Sequence, residues 1–282
     1  MVVSIVGLGL IGGSMAMDLK AGNVFSNVYG VDNNSKHSEK ALELGLVDDI
    51  ISLNKSIEVS DLIILAIPVD AAKGVLLEIL NRDDCPFVMD VGSTKGGIIE
   101  VVKNNLNRRK FVATHPMSGT ENSGPGAAIA GLFKDKLAII CDEENSESAA
   151  SKLVRDVYLE LGSVITSMDS GEHDTSAAYV SHISHISSFA LALTVLNTEK
   201  DKQNILKMAS GGFRTTVRLA NSNAKTWAPI LIENKKNVLP VLDTYIEYMN
   251  ELKSAIELND EEGLKELMIS ANRVKRIIEQ PK

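Results

Sequence analysis

A chain of 282 residues, 44% hydrophobic and 23% charged, is long enough for about two domains with sizeable cores and too apolar to be disordered. Its net charge of −8 excludes nucleic acid as the main partner, because no basic face is available to track phosphates. The two cysteines, Cys85 and Cys141, have neither a metal-ligand spacing nor a disulfide framework, and read as small buried hydrophobes of a reducing compartment.

The first strand begins at Val2 without a basic leader, and no glycine-free apolar run approaches bilayer-spanning length, so a cytoplasmic protein is expected. That strand, Val2 to Val6, runs straight into Gly7-Leu8-Gly9-Leu10-Ile11-Gly12. In this Gly-x-Gly-x-x-Gly spacing Gly7 makes the tight turn, Gly9 lets a pyrophosphate approach the backbone, and Gly12 packs a helix against the strand. The helix from about Gly12 to Ala21 turns its free N–H groups and positive dipole end, with Leu10 and Ile11 at its start, toward the phosphates. A second strand, Val28 to Val31, ends at Asp32, where an acid would bind the ribose hydroxyls and favour NAD over NADP. Lys36 is the nearest cation beyond it, and His37 would matter to a 2′-phosphate only when protonated.

A short helix over Ser35 to Leu44 stops at Gly45, and Val47 to Ile51 is a weak strand. Asp61 to Val69 is a strong buried strand that Pro68 ends at the sheet's carboxyl edge, where ligands bind. Helix Ala71 to Leu80, strand Phe87 to Val91, helix Gly97 to Asn105 and strand Phe111 to Thr114 follow. Lys136 to Cys141 closes the sheet, with an amphipathic helix over Ala149 to Leu161. The alternation specifies an α/β fold: a Rossmann-type, doubly wound and mainly parallel sheet over 1–168, with NAD as its cofactor. From Thr175 onward only helices are expected, so 169–282 reads as an all-helical domain. Tyr179 to Asn197 is apolar almost all round and should be a buried helix. Val238, Leu242, Tyr245, Met249, Leu252 and Ile256 form one stripe, and Leu264, Leu267, Ala271, Val274 and Ile278 a second. Asn259-Asp260 is a turn and N-cap between them, and Pro240 should kink or start the first helix. Two long stripes exceed what one small domain can bury, which points to a homodimer built on the helical half.

Polar residues gather at the strand tips. His115, before Pro-Met-Ser-Gly and at a tip facing a nicotinamide site, is a candidate catalytic residue. Ser93 could orient it, contact the substrate, or simply cap a helix. Lys95 reads as solvated. In Ser181-His182-Ile183-Ser184-His185 the histidines are three apart; too few neighbouring ligands are present for a metal, and a polar seam toward the cleft fits better. Gly211-Gly212-Phe213-Arg214 through Arg218-Leu219-Ala220 sets two guanidinium groups beside a flexible turn, suited to a carboxylate unless they are merely surface cations.

Val6 to Ser14, Asp90-Val-Gly-Ser-Thr-Lys95, His115-Pro-Met-Ser-Gly-Thr-Glu121, Ser181 to His185 and Gly211 to Trp227 together resemble the prephenate dehydrogenase family, in order over almost the whole chain. The resemblance implies NAD-dependent oxidative decarboxylation of prephenate to 4-hydroxyphenylpyruvate, in tyrosine biosynthesis. It implies that His115 hydrogen-bonds the ring hydroxyl with Ser93 assisting, and that Arg218 binds a substrate carboxylate. Ser181, His185, Glu121 and Trp227 would line or gate the pocket. Thr215 departs from the pattern, since many members carry Asp there. Arogenate as substrate is the alternative within the family, and a non-catalytic nucleotide-sensing dimer the alternative outside it. No fused mutase or regulatory domain is expected.

Overall fold

A computed structural model describes residues 1–199 and 205–278. Among the described residues eight strands are present: β1 (Val2–Val6), β2 (Asn27–Val31), β3 (Asp49–Ile50), β4 (Leu62–Leu65), β5 (Phe87–Asp90), β6 (Phe111–Pro116), β7 (Leu137–Cys141) and β8 (Val164–Met168). They form one sheet in the order β3-β2-β1-β4-β5-β6-β7-β8. All pairs are parallel except β6 with β7, where His115 lies opposite Ile139.

Helices α1 (Leu10–Ala21), α2 (Ser35–Glu43), α3 (Leu53–Val59), α4 (Val69–Leu80), α5 (Gly96–Val102) and α6 (Ser148–Glu160) connect the strands. Parallel neighbours need such crossovers, and these cover both faces of the sheet. Strand alternation sorts the side chains: Val3, Ile5, Ile64, Met89, Val112 and Ile140 pack with α1 and α6 through Met15, Leu19, Val154 and Tyr158. Val6, Ile63, Leu65, Val88, Ala113 and Ile139 face the other way, onto Leu76 and Ile79 of α4 and Ile98 and Val102 of α5. Each such side chain, taken fully from water, stabilises the fold by roughly 1.5–3 kcal/mol before chain entropy is set against it.

β8 was not foreseen. Its burial is slight and its sequence, Val-Ile-Thr-Ser-Met, is weakly patterned, so pairing with β7 rather than local pattern creates it. The helices that follow are α7 (Ser170–Ala177), α8 (Ile183–Glu199), α9 (Gly211–Thr216), α10 (Ala224–Glu233), α11 (Lys235–Glu257) and α12 (Glu261–Ile278). By packing, residues Met1–Lys235 make one compact unit and Lys236–Lys282 another.

Two expectations for the helical half need correction. α8 is not buried all round: Ser188 and His185 are buried, whereas Leu193 is 66% exposed. One face packs within the chain, and the other is exposed among the described residues. The helical stretch Ser170–Thr198 is also long and apolar enough to pass a length-and-composition test for crossing a bilayer, against the expectation that no run would. Buried His173, Asp174 and His182, bonded to one another's neighbours at the sheet edge, are out of place in hydrocarbon.

In the second unit α11 runs through Pro240 without ending there. Asn259 takes a left-handed φ of 54° and the Asp260 carboxylate accepts from the Gly263 N–H at 2.9 Å, so the anticipated turn and cap join α11 to α12. Tyr245, Met249 and Ile256 on α11 and Val274 and Ile278 on α12 are exposed.

Candidate active site

The glycine loop sits between β1 and α1. Gly7 has φ +95°, and a Cβ on Gly12 would stand 1.9 Å from the Gly7 carbonyl oxygen, so neither position tolerates a side chain. A Cβ on Gly9 would meet nothing within 4 Å, and no side chain caps α1 at Gly9. The first-turn N–H groups of α1, from Leu10 and Ile11 onward, are thus open to an anion in the way a pyrophosphate requires. Asp32 lies just past β2. Its carboxylate accepts from the Leu8 N–H at 2.9 Å and the Asn34 N–H at 2.8 Å, with His37 Nδ1 at 3.5 Å. It therefore also braces the loop, a task the sequence did not reveal. Pro68 stands at the N-terminus of α4, on the same edge.

Next to it β5 and β6 build a buried polar cluster. Lys95 is wholly buried, contrary to the expectation of a solvated side chain. Its ammonium contacts the Asp90 carboxylate and donates to the Thr114 carbonyl at 2.7 Å. The strand-end Asp90 draws Lys95 inward because a buried carboxylate without a cation would be far costlier than the ordered lysine. Asp90 further accepts from the Gly92 N–H at 2.9 Å and the Thr114 N–H at 3.2 Å. Thr114 Oγ1 donates to the Asp90 carbonyl at 2.5 Å and is 2.6 Å from the Tyr158 hydroxyl.

His115, partly buried at the end of β6, has its Nδ1 2.8 Å from His173 Nε2. His173 Nδ1 is 2.9 Å from Asp174 Oδ1. Asp174 also accepts from the Lys95 N–H at 2.7 Å and the Gly96 N–H at 2.8 Å, at the start of α5. Burial alone would raise the Asp174 pKa, but the His173 bond and the two backbone N–H groups outweigh it and hold the carboxyl below its usual range. Desolvation, then the neighbouring His173, Lys95 and His182, push His115 well below the ordinary histidine range, so it is neutral at pH 7. His173 and Asp174 escaped the sequence reading because they sit 58 and 59 residues past His115 on a helix with no motif; only the fold brings them to the strand tip.

A single π-type turn, Ala178–His182, joins α7 to α8. It shifts the helix phase in the middle of the site, a common place for such bulges. His182 is 1% exposed, accepts at Nδ1 from the Asn234 amide at 3.2 Å, and its Nε2 meets no protein partner among the described residues. Burial brings its pKa down to about 4. His185 donates from Nδ1 to the Ser181 carbonyl at 3.0 Å and stacks on Trp227 with ring centroids 3.3 Å apart. His182 meets the same indole edge-on at 6.0 Å. Desolvation lowers the His185 pKa. Ser188 Oγ donates to the Thr216 carbonyl at 3.1 Å, tying α8 to the segment that carries Arg218. Arg218 itself is half exposed and donates to Glu121 Oε2 at 3.0 Å. A backbone bond within Glu121, then the Arg218 guanidinium, hold that carboxyl below its usual range.

The fold thus brings His115, Ser181, His185, Arg218, Glu121 and Trp227 into a linked set within the first unit. Ser93 lies on the β5–α5 loop, partly buried; the group bonded to His115 Nδ1 is His173. Chemically, the edge offers an anion-binding helix start, a neutral imidazole as proton acceptor and a guanidinium for a carboxylate.

Residues 15–167 match the family model for the prephenate dehydrogenase nucleotide-binding domain, and 169–270 that for the prephenate dehydrogenase dimerization domain. A cyclohexadienyl dehydrogenase of Zymomonas mobilis is 33% identical, over 94% of this chain and 91% of that protein. A prephenate dehydrogenase of Bacillus subtilis is 29% identical, over 93% and 72%. The prephenate dehydrogenase of Aquifex aeolicus, solved with hydroxyphenyl propionate and NAD+, superimposes with a TM-score of 0.88 at 31% identity, covering 98% of this chain and 97% of that one. A Synechocystis arogenate dehydrogenase gives a TM-score of 0.77 at 26% identity, covering 99% and 100%.

Proposed function

This chain belongs to the prephenate dehydrogenase family, and on that premise we propose that it oxidises prephenate to 4-hydroxyphenylpyruvate with loss of CO2. It is an oxidoreductase of the NAD-dependent kind, and NAD supplies the hydride acceptor. We take 1–168 as the dinucleotide-binding domain and 169–282 as the helical substrate-binding and dimerisation domain, in line with the two matched stretches. Gly7, Gly9, Leu10, Ile11 and Gly12 hold the pyrophosphate, Asp32 the adenosine ribose, and Pro68 borders the cofactor at the strand edge.

The observation that carries the reading is a neutral, partly buried His115 on the same strand edge as the open start of α1. His115 Nε2 takes the ring-hydroxyl proton as the hydride leaves that carbon, which makes a conjugated ketone. The ring carboxylate then departs as CO2 and aromaticity is restored. Ser93 steadies the substrate hydroxyl, and Ser181, His185 and Trp227 wall the ring. Arg218 anchors a carboxylate after giving up its exposed pair with Glu121, a contact that solvent screens and that is readily exchanged. The site must hold the dianion without favouring the departing carboxylate over the transition state.

Arg218→Gln should therefore raise KM for prephenate by the equivalent of about 1.5–3 kcal/mol, with NAD+ affinity unchanged. Steady-state kinetics with NAD+ saturating read this directly, and an unchanged KM would remove Arg218 from substrate binding. Prephenate and arogenate differ by a keto against an amino group on the side chain, and parallel assays with both, each with NAD+ and NADP+, test substrate and cofactor choice. Prephenate with NAD+ should give the highest kcat/KM. A higher value for arogenate would transfer the assignment to that substrate, and equal values for both cofactors would end the role given to Asp32.

The exposed row on α8 and the open stripes of α11 and α12 support a homodimer through the helical half. Light scattering at micromolar concentration should give twice the 30.4 kDa chain mass. A fully active monomer would refute this.

A further inference from the structure

We propose that His173 and Asp174 form a positioning relay that fixes His115 in one tautomer, with the proton on Nδ1 and Nε2 free. The inference rests on the reading of His115 as proton acceptor and adds what sets that base before substrate arrives.

The hydrogen-bond directions follow from the donor and acceptor inventory together with one premise of the proposal, that His173 carries a single ring proton. Asp174 is held ionised by the His173 contact and the backbone N–H groups of Gly96 and Lys95. An ionised carboxylate only accepts, so the 2.9 Å contact obliges His173 Nδ1 to carry the proton. With its one ring proton on Nδ1, His173 presents an acceptor at Nε2. The 2.8 Å contact with His115 must consequently be a bond from His115 Nδ1–H. Neutral imidazole has one N–H, and here it is used, which leaves the Nε2 lone pair for a substrate proton. One anion, anchored on the first N–H groups after the β5 loop, thus orders two rings in series.

The charged and titratable neighbours of His115 are Lys95 from the β5–α5 loop, His173 with Asp174 from α7, and His182 from the π turn. Lys95 is already bound to Asp90 and the Thr114 carbonyl and does not enter the relay with its ammonium. During turnover the substrate O–H bond breaks, the His115 Nε2–H bond forms, and the C–H electron pair leaves as hydride to NAD+. His115 Nδ1–H keeps donating to His173 throughout, so no bond in the relay has to be remade and no proton moves along it. The new imidazolium gains a stronger bond to His173, itself backed by the Asp174 charge.

A merely structural role for His173, fastening α7 to β6, predicts no tautomer effect. The test is nitrogen-15 NMR of the full chain with labelled histidine and NAD+ bound, His115 being assigned by its loss in His115→Asn. The relay predicts a protonated Nδ1 and an unprotonated Nε2 on His115 in the unmodified enzyme. His173→Leu should shift it toward the Nε2–H form and lower kcat roughly ten- to a hundredfold, with KM and NAD+ affinity within about twofold. His173→Gln, whose amide oxygen can accept from His115 Nδ1–H, should restore most of that loss. An Nε2–H tautomer in the unmodified enzyme, or a folded His173→Leu enzyme with undiminished kcat, overturns the relay. The NMR measurement needs no His173 variant and decides even if that variant does not fold. An active enzyme with the Nε2–H tautomer refutes the relay alone, whereas the Nδ1–H tautomer in an enzyme inactive with prephenate supports the relay and refutes the activity.

Discussion

His115→Asn should lower kcat by about 10²- to 10⁴-fold while KM for prephenate and the affinity for NAD+ change little. The asymmetry follows from where the histidine helps. It touches a proton that moves only as hydride leaves, so its contribution appears in the transition state and scarcely in the ground state. Asparagine keeps the approximate volume and a polar end but cannot accept a full proton. The pH dependence gives an independent check on the same residue. The neutral ring is the active form, so activity persists above its pKa and fails as pH falls through it. Desolvation, with Lys95, His173 and His182 nearby, places that pKa well below the ordinary value. The acid limb of kcat should accordingly lie below about pH 6.5, the reference for a free histidine, and should vanish in His115→Asn. A variant with near-normal kcat and the same acid limb would send the search for the base to His185.

The second large effect is on stability. Lys95→Met should destabilise the protein by about 3–5 kcal/mol, because it leaves the buried Asp90 charge without a cation. Asp90 retains the N–H bonds of Gly92 and Thr114, which place the loss toward the lower end of that range. Adding Asp90→Asn to Lys95→Met should recover much of it, since the stranded charge is then gone and the amide can still accept one of those bonds. Urea unfolding of the two variants and the parent measures this in one series. A Lys95→Met protein within about 0.5 kcal/mol of the parent would contradict the burial of that pair.

Much of this was legible in the chain. The sheet's first half follows from apolar runs that end in Gly7, Asp32 and Pro68, each a residue whose chemistry marks a strand tip. β8 and the antiparallel β6–β7 pairing were not legible, because partner choice in a sheet is a tertiary matter. Lys95 was misread for a related reason. A lysine after Gly-Ser-Thr has the local look of a solvated loop residue, and its burial depends on Asp90, five positions earlier, pointing into the same pocket. His173 and Asp174 carried no signal at all, since an i, i+1 pair on a polar helix start has no periodic meaning until β6 ends beside it. Helix α8 shows the converse failure. Its near-uniform apolarity suggested burial within one chain, but hydrophobicity does not say whose surface provides the cover.

The most direct test of the central claim is a stoichiometric turnover measurement on the purified full chain, with prephenate and NAD+ supplied together. NADH should appear with 4-hydroxyphenylpyruvate and CO2 in a one-to-one-to-one ratio, and Arg218→Gln and His115→Asn should depress that single flux through KM and kcat respectively. A folded chain that binds NAD+ yet forms no NADH above background, with prephenate or with arogenate, would contradict the assignment and leave the nucleotide-sensing dimer in its place.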